Sequence, residues 1–298
     1  MPRIRMDNVD LDLSLFDYAL PDDQIAQEPL PDRAASRMLV LYRKEQRWED
    51  RQFRDLPSFL QPGDCLVLND SRVFPSRLLG KRGTAEVEVF LIEPVGPQTW
   101  KALVRPGKKM GLGEHIRFGE VEAEVVARGP FGERTIRFSL DRDIYDWLNE
   151  AGHVPLPPYI KRADREQDRR RYQTVFARQT GSVAAPTAGL HFTQEILEQC
   201  QADIAYITLH VGLGTFQPVR GETLHAERFY ISDESAAKIR AAPRVICAGT
   251  TSVRSVESLY LGQTGETALF IRPGFQFQRT DAMLTNFHLP QSSLLMLV

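Results

Sequence analysis

Several common signals are missing from this chain of 298 residues. Only three cysteines occur, Cys65, Cys200 and Cys247, far apart and without a C-x-x-C pair. That spacing excludes a disulfide framework and a zinc knuckle, and it fits buried thiols in a reducing compartment. Charge of neither sign dominates: the formal net charge is −2. No global basic field advertises nucleic acid, so any RNA binding has to come from local patches. No apolar run approaches the roughly 20 residues of a membrane-spanning helix. The amino-terminal stretch has neither the apolar core nor the cleavage site of a signal peptide. A soluble, cytoplasmic protein is expected. The six histidines are scattered, with no H-x-x-H or H-E-x-x-H spacing, so no metal site is expected. No G-x-S-x-G elbow and no repeat of solenoid period occur.

What is present is ordinary globular material, 42% apolar and 26% charged, in a chain long enough for one large domain or two ordinary ones. Residues 1–60 mix short elements. Pro21-Asp22-Asp23 is suited to open a short helix, and Met38–Tyr42 reads as a strand. Residues 61–140 look all-β, with strands predicted over Cys65–Leu68, Val87–Glu93, Trp100–Val104, His115–Phe118, Val121–Ala127 and Arg134–Phe138, separated by Gly and Pro. So many short strands predict a small barrel or sandwich. Asp141–Asn149 reads as a helix with Ile144, Trp147 and Leu148 on one face.

Beyond residue 150 strands and helices alternate. Thr193–Cys200 reads as a helix capped by Thr193, Ile204–Val211 as a strand and Asp233–Ala241 as a helix capped by Ser232. Val245–Ala248 reads as a buried strand and Thr251–Leu261 as a helix. Alternation of this kind predicts a sheet covered on both faces. Because 1–60 and 150–298 share this texture, the β-rich stretch 61–149 reads as an insertion. The expected fold class is a mixed α/β layer, residues 1–60 and 150–298, carrying a small inserted β domain.

Four constellations carry chemistry. In Val245–Arg254 a buried strand runs through Gly249 into hydroxyl residues and a helix. Free N–H groups there, with Thr250, Thr251, Ser252 and Arg254, form a candidate anion site. The same residues would also serve as an ordinary N-cap. In Gly181–Thr193 small residues permit close approach of backbone to a flat ligand, and His191 precedes a helix start. His210-Val-Gly-Leu-Gly-Thr-Phe216 follows a strand at the end where open α/β sheets bind ligands. The third glycine of a dinucleotide fingerprint is absent, since position 217 is Gln. Thr285-Asn-Phe-His288 gathers an amide, a ring and an imidazole, groups able to read or stack on a base. Two basic clusters, Arg105–Lys109 and Lys161–Arg171, are either solvated faces or phosphate contacts.

Together these stretches resemble the S-adenosylmethionine:tRNA ribosyltransferase-isomerase family of queuosine biosynthesis. The resemblance runs collinearly through Ala26–Arg33, Asn69-Asp-Ser-Arg72, Leu103–Lys109, Gly152–Lys161, Tyr172–Val175, Ser182–Thr193, Thr208–Phe216, Gly249–Arg254 and Thr285–Pro290. It implies a β-barrel inserted into an α/β catalytic domain. It also implies transfer of the ribosyl part of S-adenosylmethionine, a co-substrate, to a 7-aminomethyl-7-deazaguanine base at the tRNA wobble position. The product is epoxyqueuosine, and adenine and methionine leave. The sulfonium charge acidifies the neighbouring 5′ methylene, so a base is required. Methionine leaves as a neutral group, so no metal Lewis acid is needed.

On this resemblance, proton transfer falls to His191 or His210, then His288, with Glu257 as a further base or amine reader. Thr187, Gly189, Gly212 and Gly214 are expected around the nucleoside. Thr250, Thr251, Ser252 and Arg254 are expected to hold the methionine carboxylate or an RNA phosphate. Arg105, Lys108, Lys109, Lys161 and Arg162 are expected on phosphates and Asn286 on tRNA, and a monomer is expected. Relative to the family, Gln217–His225, the loop before Val245 and Leu259–Thr267 are short, and the chain stops inside the apolar run Leu294–Val298. The expectation is that residues are omitted at these points, which removes support from Glu222 and His225 as site residues. An intact mass equal to that of the 298-residue chain would contradict it. Two rival classes are a non-catalytic RNA-binding module and a conventional S-adenosylmethionine-dependent RNA methyltransferase. The second wants a Gly-rich loop after its first strand, which is not seen.

Overall fold

The computed structural model describes residues 13–212 and 226–298. The chain opens with 3-10 turns and an antiparallel hairpin of β1 (Arg37–Tyr42) and β2 (Arg47–Gln52). It enters β3 (Cys65–Asn69) and then β4 (Ser71–Val73). Six strands follow: β5 (Arg77–Arg82), β6 (Ala85–Gly96), β7 (Thr99–Arg105), β8 (His115–Phe118), β9 (Val121–Arg128) and β10 (Glu133–Ser139). They close into an antiparallel barrel in the order β10-β7-β6-β5-β8-β9. Their alternation of buried and exposed residues, plainest in β8 and β10, sends one side chain in two to the interior. Leu78, Val89, Leu91, Trp100, Ile116 and Ile136 fill it. Helix α1 (Ile144–Ala151) plugs it with Ile144, Trp147 and Leu148, the three residues expected on its inner face. Asp143 caps α1 by accepting from Tyr145 N and Asp146 N, so the helix starts three residues later than predicted.

After α2 (Glu166–Arg171) the chain returns as β11 (Gln179–Ser182), which pairs in parallel with β4. The strands leading into and out of the barrel therefore lie side by side. Then come α3 (Gln194–Gln199), β12 (Asp203–Leu209), β13 (Glu227–Ile231), α4 (Asp233–Ala241), β14 (Val245–Ala248), α5 (Thr250–Tyr260), β15 (Glu266–Thr267), β16 (Ala282–Leu284) and α6 (Ser293–Leu297). One sheet runs in the order β15-β13-β12-β3-β14-β16, with β12, β3, β14 and β16 parallel.

Strand β3 was grouped by sequence with the β-rich stretch. The structure instead makes it the centre of the six-stranded sheet, paired with β12 and β14. All five of its residues are buried because both faces of the sheet are covered. Cys65 and Val67 pack with Ile239 of α4 and Val253 and Val256 of α5. Leu66 and Leu68 pack on the other face with Phe53, Phe192, Ile196 and Leu197. Truncating Leu66 to Ala should cost about 2–5 kcal/mol. Burial pushes the Cys65 thiol up to about 11 and the Cys247 thiol up to about 12, which leaves both protonated and inert.

Candidate functional site

The parallel strands all end at one edge of the sheet. Register places Asn69 beside Ile207, Ala248 beside Leu68, and Leu284 beside Ala248. The connection from β3 leads towards β12 and that from β14 towards β16. The crevice between their carboxyl ends is thus the topological switch point where ligands bind in open α/β sheets.

Asn69 ties this edge together. Its Nδ2 donates to Leu209 O at 3.0 Å and to Thr251 Oγ1 at 3.2 Å, and its Oδ1 accepts from Ser71 N at 3.1 Å and Leu209 N at 3.0 Å. One buried amide therefore fixes the exit of β12, the first turn of α5 and the start of β4. Asp70 continues the knot. Its carbonyl accepts from Arg178 N and Gln179 N, and its Oδ1 accepts from Thr208 Oγ1 at 2.6 Å. Burial raises the Asp70 carboxyl above its ordinary range, against the opposing pull of the Thr208 hydroxyl and Arg178.

Two residues past Thr208, His210 leaves the strand. Its backbone N–H donates to Arg228 O, while its buried Nδ1 has no hydrogen-bond partner. The ring lies against Gly181, where φ is +147° and a methyl group would stand 2.7 Å from His210 Cε1. Only glycine admits both the conformation and the ring. Burial, then the charge of Arg228, lowers the imidazole below its usual value, so His210 is a neutral base at pH 7.

His191 is differently engaged. Nε2 donates to Asn286 Oδ1 at 2.8 Å, and Nδ1 lies 3.0 Å from Ser36 Oγ, which also reaches Arg33 O at 3.4 Å. Burial lowers this imidazole, with the Arg33 charge adding to the effect and the Asn286 bond opposing it. His288 lies in the same loop as Asn286, its Nε2 3.0 Å from Thr285 Oγ1, and burial pushes it down to about 4. That loop is bound to the sheet edge through Gly249 N, which donates to Leu284 O at 2.7 Å. His191, His210, the Gly249 turn and the Asn286 loop thus converge on one edge.

Helix α5 begins there. Gly249, at φ +92°, supplies no capping side chain, and the helix dipole points at the edge. Thr250 and Thr251 sit on this first turn. Ser252 Oγ instead donates back to Ala248 O at 2.8 Å, inside the helix. Arg254 also differs from expectation. It is 7% exposed and forms a buried ion pair with Glu227, and it donates to Leu269 O and Thr267 O. The other Glu227 oxygen accepts from Gly212 N at 2.9 Å. Arg254 is therefore a strut behind the Gly212 turn, not a group facing the edge.

Other candidates stand elsewhere or serve packing. The fully buried Glu257 accepts from the backbone N–H groups of Gln278, Arg279 and Thr280, so it acts as a loop staple. A methyl group at Gly189 would stand 2.8 Å from Thr174 Cγ2, so close packing requires that glycine. Thr187 opens the 3-10 turn ending at His191. Arg162 is held by Asp168 through two hydrogen bonds and by Glu28, while the exposed Lys161 meets Asp22. Arg105 at the end of β7 is exposed, as are Lys108 and Lys109 on the following turn, which Arg134 braces by donating to Gly107 O and Met110 O. Gly214, Glu222 and His225 lie outside the described residues. Two surface hollows, of about 430 Å³ beside Arg51 and Arg54 and about 760 Å³ at the junction of the barrel and α1, contain none of these candidate groups.

The sequence profile described as "Queuosine biosynthesis protein" matches residues 13–298. This chain belongs to that family. It is 57% identical to an S-adenosylmethionine:tRNA ribosyltransferase-isomerase of Solibacter usitatus (strain Ellin6076), over 97% of this chain and 91% of the relative. The alignment spans 319 positions, more than the chain's 298 residues, so the relative carries residues with no counterpart here. A crystal structure described as S-adenosylmethionine tRNA ribosyltransferase from Thermotoga maritima matches with a TM-score of 0.50 and 37% identity. That match covers 95% of this chain and 87% of the other.

For this member of the queuosine biosynthesis family, sequence reasoning missed Asn69, Asp70, Ser36 and Glu227 as parts of the edge. Asn69 and Asp70 lay in a motif quoted for the resemblance but had no role assigned. Asn-Asp at the end of a continuous apolar run was the available signal. Ser36 and Glu227 carried none, because their partners lie far away in the chain.

Proposed function

We propose that this chain transfers and isomerises the ribosyl part of S-adenosylmethionine onto the 7-aminomethyl-7-deazaguanine base at the wobble position of tRNA. Epoxyqueuosine-tRNA forms, and adenine and methionine are released. The observation that carries the reading is a neutral imidazole, His210, whose Nδ1 has no hydrogen-bond partner, on the sheet edge shared with the start of α5, in a chain of this family. His210 removes the proton beside the sulfonium, because its Nδ1 has no hydrogen-bond partner, whereas both ring nitrogens of His191 are engaged. His191, with both nitrogens engaged, positions Asn286 and Ser36. The first turn of α5, through Thr250 and Thr251, faces the carboxylate of the co-substrate. Glu227 and Arg254 hold the Gly212 turn beside His210. Lys108 and Lys109 take tRNA phosphates, as exposed cations on a braced loop.

The barrel with α1 is the proposed inserted domain, and β3 belongs to the α/β domain. Among the described residues no helix is long and apolar enough to cross a membrane. A cytoplasmic monomer is proposed, and light scattering at working concentration tests the oligomeric state. Incubation with labelled S-adenosylmethionine and tRNA carrying the precursor base tests the reaction. Adenine release supports ribosyl transfer. S-adenosylhomocysteine would mean methylation, and binding without either product would mean a non-catalytic module.

A further inference from the structure

Phe287 is 88% exposed, more than any other large apolar side chain among the described residues. A lone exposed aromatic is common on protein surfaces and needs no explanation by itself. Here the backbone that carries it is fastened on both sides. Upstream, Leu284 O accepts from Gly249 N. Downstream, His288 O accepts from the Tyr18 hydroxyl, His288 Nε2 meets Thr285 Oγ1, and Gln291 N donates to Phe16 O. These bonds hold the backbone of the loop, so the ring projects into solvent from a fixed position in the chain.

The residue before it is also fixed. Asn286 Oδ1, which can only accept, is occupied by His191 Nε2–H, and Ser36 Oγ lies 3.0 Å from the other ring nitrogen. The Asn286 amide nitrogen, with two N–H groups, has no partner among the described residues. The pair therefore offers a flat apolar face and an adjacent amide donor of set direction, both prepared before any ligand arrives. Preparation of this kind removes much of the ordering cost of binding.

We propose that the Asn286–Phe287 step reads a nucleobase of the RNA substrate. The Phe287 ring stacks on the base and Asn286 Nδ2 donates to a carbonyl oxygen on its edge. Stacking on an aromatic side chain and hydrogen bonding to an exposed base edge are the usual means of recognising unpaired RNA bases. On this account His191 is a positioning residue that aims the amide. The inference rests on the proposed tRNA substrate, and the test separates the two.

The full chain is compared with Phe287→Ala, Phe287→Trp and Asn286→Asp. The last keeps an oxygen for His191 and removes the donor. Readouts are adenine release with precursor-carrying tRNA, and fluorescence of Phe287→Trp titrated with anticodon stem-loop RNA. Phe287→Ala is expected to raise KM for tRNA by about five- to a hundredfold, with kcat within about twofold. Phe287→Trp keeps a near-normal KM, and its emission changes on adding RNA but not S-adenosylmethionine. Asn286→Asp raises KM in the same direction. An unchanged KM in Phe287→Ala, or emission indifferent to RNA, overturns the inference. Absence of adenine release by the unaltered chain counts instead against the functional reading, and the fluorescence arm still decides the stacking.

Discussion

The carboxyl edge of the six-stranded sheet and the closed barrel are built on opposite terms. The barrel is filled by an apolar cluster, and its ion pairs, such as Arg82–Glu114 and Arg137–Glu124, lie on its surface. The sheet edge buries amides, carboxylates and hydroxyls, each tied to a segment distant in the chain: Asn69 to Leu209 and Thr251, Asp70 to Thr208, Glu227 to Gly212 and Arg254. A closed sheet satisfies its own backbone and asks little of its side chains. An open sheet edge must be completed by loops, and there polar side chains set the positions of the groups that meet a ligand.

The largest contrast lies in the ion pairs. Glu227→Ala leaves the Arg254 charge buried and unpaired, and it should lower stability by about 3–5 kcal/mol. Glu114→Ala removes a solvent-screened pair on the barrel surface and should leave stability nearly unchanged. Denaturant unfolding of the two variants measures the difference, and equal losses would erase the contrast. A second contrast separates binding from chemistry. Replacing Lys108 and Lys109 together by Ala should weaken tRNA binding and reduce the slope of log affinity against log salt by about 2, with kcat unchanged. A fall in kcat would bring the barrel loop into the chemistry.

Acid should act mainly through the edge. Burial lowers His191, His210 and His288, the last to about 4. Between the ordinary imidazole value of about 6.5 and these lowered values, the unfolded chain holds protons that the folded chain does not. Stability therefore declines as pH falls from about 6.5 towards 4. His288→Gln should flatten part of that decline in melting experiments. A melting temperature with the same pH dependence in both proteins would show that His288 is not held neutral.

Elements whose pattern is self-contained were legible in the sequence. Helix α4 and strands β8 and β14 have the predicted bounds, because capping, alternation or a continuous apolar run marked them. Strand β5 was missed. Half of its residues are basic and it contains Gly80, where a methyl group would meet the Phe118 ring at 2.6 Å, so contact across the barrel wall sets that residue. Strand β2 has almost no buried residue, and therefore no apolar period to find. At the site, the glycine turns and histidines stood out by residue type and position. Which imidazole has both nitrogens engaged did not, because the partners of His191 are Ser36 and Asn286, one 155 residues and the other 95 residues away in the chain. Arg254 was read as a ligand contact because its partner Glu227 is likewise invisible from local pattern.

The central claim is that the imidazole of His210, and not that of His191, moves the proton. The most direct test is the pH dependence of tRNA-dependent adenine release under single turnover, in the unaltered chain, His210→Gln and His191→Gln. The account predicts an acid limb centred below about 6.5 in the unaltered chain, retained in His191→Gln. In His210→Gln the limb is lost and the rate falls by about 10²–10⁴. A His210→Gln enzyme that keeps both the rate and the acid limb would contradict it.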